Sequence, residues 1–184
     1  MRIIAGVCRS RTLRAPRGMD TRPTYDRVRE TIFDILQFEV SGTETLDLYA
    51  GSGAMALESL SRGARRAVMC DADGEAVRTA SGNAESLGLK EKCDILHMKD
   101  TAALSELQSR GESFDLVFLD PPYRMDTTPV MAEIAARGLV KPRGVIVTEY
   151  RENEPGTPEG FAVWKERRIG SVFVRMYRRE ETEG

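Results

Sequence analysis

LDLYAGSGAMALE, residues 46–58, changes its period part-way along. The first half is a short apolar run of the kind found in a buried strand, TLDLYA (45–50), and the second half opens a helix, AMALESLSRG (54–63), closed by Gly63. Gly51 and Gly53 sit at the junction, where a missing side chain lets a ligand approach the backbone. The same alternation continues outward. RRAVMCDA (65–72) reads as a strand, followed by a helix from about Gly74 to Leu87 that ends at Gly88. Then come CDILHM (93–98), a short helix near 101–109, FDLVFLD (114–120), a helix over roughly 127–137 and the strand GVIVTEY (144–150). Such repetition predicts an α/β domain with a mostly parallel sheet covered on both faces.

Both ends depart from that pattern. RENEPGTPEG (151–160) is a Pro/Gly/Glu loop, after which AVWKERRI and SVFVRMYRR flank Gly170 as an antiparallel pair. At the other end RIIA (2–5) and RTLRA (11–15) are expected to pair as a small hairpin. A helix follows near 25–38, with Val28, Ile32, Ile35 and Leu36 on one face. The division expected is an arm over 1–40 and a larger α/β domain over 41–184, packed as one compact unit.

Composition narrows the function. The chain has 184 residues, 41% hydrophobic and 30% charged, an ordinary balance for one folded domain. No apolar run approaches the roughly 20 residues that cross a bilayer, and MRIIAGVCRSRTLRAP lacks a signal-peptide core, so a cytoplasmic protein is expected. Cys8, Cys70 and Cys93 fit neither a disulfide framework nor a zinc motif, and His97 is the single histidine, so no metal is expected. Net charge is −2, yet residues 1–29 carry +6. Their eight arginines are Arg2, Arg9, Arg11, Arg14, Arg17, Arg22, Arg27 and Arg29, and a second basic cluster runs from Lys165 to Arg179. A guanidinium stays charged and donates two parallel hydrogen bonds, which suits phosphate; contact with nucleic-acid phosphates is assigned to Arg2, Arg9, Arg11, Arg14, Arg22, Arg27 and Arg29.

The chemistry sits at strand ends. Asp71 lies 20 residues beyond Gly51, where a carboxylate can accept both hydroxyl hydrogens of an adenosine ribose. Asp100, with the Thr101 backbone, can accept from an adenine amino group, and Asp47 can orient the aminoacyl end of a cofactor. Tyr49, Ala50, Ser52 and Ala72 complete the expected cofactor rim. An NAD(P) oxidoreductase would use the same turn and the same ribose acid. FLDPPYR (118–124) separates the two. Asp120 and the Pro121 carbonyl can accept both hydrogens of a planar –NH2 group, Pro122 stiffens the backbone, and Tyr123 offers a face for stacking a base. Asp120 counts both as a catalytic and as a cofactor-side group.

D/N-P-P-Y/F is similar to the signature of amino-methyltransferases acting on adenine N6, cytosine N4, guanine N2 or a glutamine amide. The wider chain resembles the bacterial 16S ribosomal RNA (guanine-N2)-methyltransferases of the RsmD type through MRIIAG, RPTYDRVRETIFDIL (22–36), LDLYAGSGAMALESLSRGA (46–64) and FLDPPY (118–123). The resemblance implies the class I, Rossmann-like fold: a seven-stranded, mostly parallel sheet with an antiparallel C-terminal hairpin and a small N-terminal extension. It implies S-adenosyl-L-methionine as cofactor and a monomeric enzyme acting on one guanine of 16S rRNA, in the small subunit or an assembly intermediate. Two positions differ from the family pattern: Asp71 stands where Glu is usual, and Tyr25 where a small Ser or Thr follows RPT. DNA, a protein glutamine, an NAD(P) enzyme and a non-catalytic RNA-binding assembly protein stand as alternatives.

Overall fold

The computed structural model describes residues 1–16, 23–121 and 125–181, with no side-chain detail at 23 and 24. A helix, α1 (Pro23–Ile35), precedes the alternating region: β1 (Glu44–Asp47), α2 (Ala54–Ser61), β2 (Arg66–Asp71), α3 (Gly74–Leu87), β3 (Cys93–His97), α4 (Asp100–Ser109), β4 (Phe114–Leu119), α5 (Thr128–Ala136) and β5 (Val140–Tyr150). β6 (Phe161–Ile169) and β7 (Val172–Arg179) close the chain. The seven strands form one sheet in the order β3-β2-β1-β4-β5-β7-β6. Five are parallel; β7 runs antiparallel to β5, and β6 antiparallel to β7. This is the Rossmann-like methyltransferase architecture that the alternation and the terminal hairpin imply.

Strand order decides where a ligand can bind. The chain starts in the middle with β1, moves out through β2 and β3, then returns to lay β4 on the other side of β1. Helices α2 and α3 therefore leave on one face and α4 and α5 on the other. The crevice at the carboxyl ends of β1 and β4, where the order reverses, is the position that open α/β sheets use for ligands.

Both faces are packed. Ile3, Leu13, Phe33, Met69, Phe118, Val147 and Val174 belong to one buried cluster, beneath the N-terminal segment and α1–α3. Leu46, Leu48, Val68, Leu104, Val117, Ile134, Ile146 and Tyr177 belong to the other, beneath α4 and α5. Central strands such as RAVMCD bury both sides, so they read as continuous apolar runs rather than alternating ones. Phe118 meets Phe33 with ring centroids 5.8 Å apart, tying β4 to α1. Truncating either buried ring to alanine costs ~3–5 kcal/mol.

Several boundaries differ from expectation. The β1 ladder ends at Asp47, not residue 50, because the backbone swings into the glycine turn: Ala50 N donates to the Cys70 carbonyl and Gly53 N to that of Ala50. β5 begins at Val140, its pairing to β4 interrupted over 141–144 and resuming at Val145. The N-terminal hairpin is reduced to one antiparallel bridge, Arg2 with Thr12, because residues 4–8 turn away to dock on α2. A short 3-10 turn at Lys90–Lys92 was not anticipated. α3 keeps its expected limits, with Asp73 capping Glu75 N at 2.8 Å and Gly88 ending it at φ 72°.

Candidate active site

Three carboxylates line the reversal crevice from adjacent strands. Asp47 ends β1 and is 1% exposed; its Oδ2 has only a long contact, 3.4 Å, from Ala56 N of α2. Asp120 directly follows β4. Glu149, near the end of β5, is its neighbour: Leu119 pairs with Thr148, so the next residue on each parallel strand is Asp120 and Glu149. Burial, reinforced by the charges of Asp120 and Asp71, pushes the Asp47 carboxyl up to about 7. Burial likewise lifts Asp120 to about 6. Glu149 is raised well above the usual carboxylate range by burial and by Asp120, against a lowering pull from Arg151. Its Oε2 is buried without a hydrogen-bond partner. Arg151 is the basic residue whose charge acts on this group, drawing Glu149 back down. An acidic crevice of this kind, with Asp47 buried at its base, favours a cationic ligand, whose charge offsets the desolvation.

Beside it, the glycine turn is held open from several sides. Gly51 and Gly53 adopt φ 53° and 78°. A side chain at Gly53 would come within 2.8 Å of Met69 Sδ, in a backbone conformation L residues rarely adopt. Asp71 Oδ2 accepts from Gly51 N at 2.9 Å and its Oδ1 from Asp73 N at 2.9 Å. The carboxylate thus braces the turn while one lone pair on each oxygen is left over. Asp100 is held likewise, accepting from Tyr49 Oη at 2.8 Å and from Thr101 N at 2.7 Å. Burial and the Asp100 contact raise the Tyr49 phenol. Ala72 is exposed at the rim, its carbonyl 3.2 Å from His97 Nε2.

The N-terminal segment is bolted to this turn, which the sequence did not reveal. Glu58, fully buried on α2, accepts from Ile4 N (2.7 Å) and Ala5 N (3.0 Å) and pairs with Arg62 (2.7 Å). Ser61 Oγ takes Cys8 N at 3.0 Å. A Cβ at Gly6 would lie 1.8 Å from the Ser61 carbonyl oxygen, so this approach requires glycine. Asn83 on α3 joins the parts: Nδ2 donates to the carbonyls of Ser52 and Arg14, and Oδ1 accepts from Arg14 N.

The arginines sort into two groups. Arg2, Arg9, Arg11, Arg14 and Arg27 are exposed. Arg29 is not available to RNA, correcting that expectation: it is 4% exposed, and its Nη2 donates to the Arg2 carbonyl and to Asp26 Oδ1 (3.0 Å). It lies two positions from Arg27, and helical geometry turns the pair to opposite sides. Arg17, Arg22, Pro122 and Tyr123 lie outside the described residues. Pro121 is described and buried. Among the described residues no group of three or more His, Cys, Asp or Glu is placed to hold a metal ion, and no helix is long and apolar enough to cross a membrane. Glu149 was the acid that sequence reasoning passed over. An acid ending an apolar strand was a visible signal, but its meaning needs β5 beside β4.

A family model described as conserved hypothetical protein 95 matches residues 1–178. The chain belongs to this family, the RsmD family. Among RsmD relatives, the Haemophilus influenzae ribosomal RNA small subunit methyltransferase D is 32% identical over 180 residues, covering 96% of this chain and 93% of that one. The Escherichia coli K12 protein of the same name is 33% identical over 187 residues, covering 98% and 90%. The solved structure of the Escherichia coli protein yhhF superposes with a TM-score of 0.85 at 32% identity, covering 99% of each chain. A Salinibacter ruber RNA methyltransferase in complex with S-adenosyl-L-homocysteine shares the fold, with a TM-score of 0.65 at 14% identity over 90% of this chain and 97% of that one.

Proposed function

We propose that this RsmD-family protein transfers a methyl group from S-adenosyl-L-methionine to the exocyclic N2 amine of a guanine in 16S rRNA, in the small subunit or an assembly intermediate, as a cytoplasmic enzyme. The observation that carries the reading is the reversal crevice: the glycine turn and the DPP carboxylate open on the same edge of the sheet, from neighbouring strands. The names of the RsmD relatives support the rRNA substrate.

The residues present fit the cofactor. Asp47 is buried and forms no ion pair among the described residues, which suits the ammonium and sulfonium charges. Asp71 and Asp100 keep lone pairs for a ribose and an adenine amine, with Tyr49, Ala50, Ser52, Ala72 and Thr101 around them. When bound, S-adenosylmethionine supplies an electrophilic methyl group on a positively charged sulfur. The protein's own task is to orient the amine. Guanine N2 is a poor nucleophile because its lone pair is delocalised into the ring. Asp120 and the Pro121 carbonyl accept its two hydrogens, which draws the nitrogen toward tetrahedral geometry and frees the lone pair. Asp120, already lifted to about 6, is suited to take the proton released once nitrogen has four bonds. The sequence assigns Tyr123 to stacking the base, worth ~1–3 kcal/mol, with Pro122 stiffening the loop.

The test offers tritiated cofactor to the protein with undermethylated small ribosomal subunits, naked DNA and a release-factor protein, followed by mass mapping of the product. N2-methylguanosine at one 16S position is expected. Label in DNA or glutamine, or N6-methyladenosine in the RNA, would displace this reading.

A further inference from the structure

A cavity of 330 Å3 lies away from the crevice, between α1 and the β6–β7 turn, lined by Arg27, Thr31, Arg167, Arg168, Ile169 and Gly170. Three of its six lining residues are arginines, drawn from segments some 140 positions apart in the chain. None has a carboxylate partner among the described residues. Arg167 Nη1 donates to the Glu166 carbonyl and Arg168 Nε to that of Gly170, while Arg168 lies over the Phe173 ring at 5.4 Å. These contacts aim the guanidinium groups without neutralising them. The nearby acids are otherwise engaged or outside the lining. Asp26 binds Arg29, Glu166 binds Arg175 and the Tyr150 hydroxyl, and Glu30 and Asp34 do not line the cavity.

The sheet points this cavity toward the chemistry. β7 is antiparallel to β5, so its first residues pair with the last of β5: Phe173 with Tyr150, Val174 with Glu149. Arg167 in turn pairs with Val174. The β6–β7 turn therefore stands at the same edge as Asp120. Its backbone at Arg167 is three strand spacings from Asp120, about 14 Å at ~4.8 Å per strand. The exposed Arg2, Arg9, Arg11 and Arg14 belong to the segment packed on that same face.

We infer that this cavity is a second phosphate-binding site for the substrate RNA, gripping the phosphodiester backbone beside the target nucleotide and making the C-terminal hairpin part of the RNA footprint. The inference rests on the rRNA reading above. Planar guanidinium forks held by backbone contacts suit a diester's two free oxygens, and uncompensated charge is what a polyanion supplies. The contacts position the RNA without reading its sequence.

The experiment measures KM and kcat on undermethylated small subunits between 50 and 200 mM salt, with S-adenosylhomocysteine affinity by calorimetry. Variants are Arg27→Gln, Thr31→Glu, a triple Arg27→Gln/Arg167→Gln/Arg168→Gln, and Arg137→Gln on the opposite face as control. The triple variant is expected to raise KM on the order of tenfold with kcat within about twofold, and to make the log–log salt slope shallower by about 2, with cofactor affinity unchanged. Arg27→Gln and Thr31→Glu, which leave the hairpin contacts intact, move KM and slope in the same direction; Arg137→Gln moves neither. A wild type active on subunits, with Arg27→Gln and Thr31→Glu matching its KM and slope, overturns the cavity's role. A wild type inactive on subunits overturns the rRNA reading and the cavity's assigned ligand together.

Discussion

The two edges of the sheet handle charge in opposite ways. At the edge where the parallel strands begin, acids and bases are paired. Glu44 meets Arg65 at 2.8 Å and Lys141 at 2.9 Å, and Lys141 also meets Asp115 at 2.9 Å. Arg66 grips Glu112 with both nitrogens at 2.8 Å, and Asp94 bridges Arg66 and Arg110. The Lys141 hydrogen bond holds the Glu44 carboxyl below its usual range. At the edge where those strands end, burial holds Asp47 and Asp120 up to about 7 and about 6 and lifts Glu149 well above the usual carboxylate range. The first arrangement costs the fold little and contributes little, since half-exposed pairs are worth about 0–1 kcal/mol. The second leaves carboxylates desolvated and repelling one another, a cost that a bound cation relieves. Site and scaffold therefore differ in whether their charges are balanced before a ligand arrives.

Breaking the unbalanced edge should have the largest effect. Asp120→Ala is expected to lower kcat on undermethylated subunits by about 10²–10³, or ~3–4 kcal/mol of barrier, by analogy with losing one preorganised polar group. Asp120→Asn, which still accepts a hydrogen through its amide oxygen, should lose clearly less. Equal losses in steady-state assays would argue against amine orientation by Asp120.

Next in size is the pH response of the cofactor-free protein. Both Asp47 and Asp120 have folded-state pKa values above those of the unfolded chain. Their contribution to stability is complete below about pH 4 and is lost as pH rises through 6 to 7. Asp47→Asn should therefore raise the apo Tm at pH 8 by about 3 °C and flatten its decline between pH 5 and 8 in scanning calorimetry. In wild type, S-adenosylmethionine affinity should climb over the same interval as the acids ionise, and Asp47→Asn should blunt the climb. A wild-type Tm rising from pH 5 to 8 together with pH-independent affinity would contradict the contrast between edges.

The smallest effect belongs to the balanced edge. Glu112→Gln removes a pair whose side chains are 17% and 33% exposed, and should cost ~0.5 kcal/mol or less, a Tm change of about 1–2 °C, with kcat unchanged. Stopped turnover in that folded variant would mean that the two edges are coupled.

Local chemistry made much of this visible beforehand. The period change in LDLYAGSGAMALE locates a strand, a tight turn and a helix; Asp73 and Gly88 mark both ends of α3; Gly170 marks the closing hairpin. Each depends on neighbours within a few residues. Arg29 shows where such reading stops: an arginine in a basic segment looks solvated until α1 packs and turns it inward to the Arg2 carbonyl. Glu58, Ser61 and Asn83 look like ordinary helix-surface residues, yet they clamp the N-terminal segment onto the glycine turn.

Taken alone, the sequence determined the elements, the glycine turn and the acids at strand ends, because periodicity, capping and turn conformations act over a few residues. Only the tertiary structure decided which strand ends become neighbours. It set Asp47, Asp120 and Glu149 side by side across β1, β4 and β5, and it brought Arg27 to Arg167. Strand order comes from burying both sheet faces at once, a condition on the whole chain that no short window of residues contains.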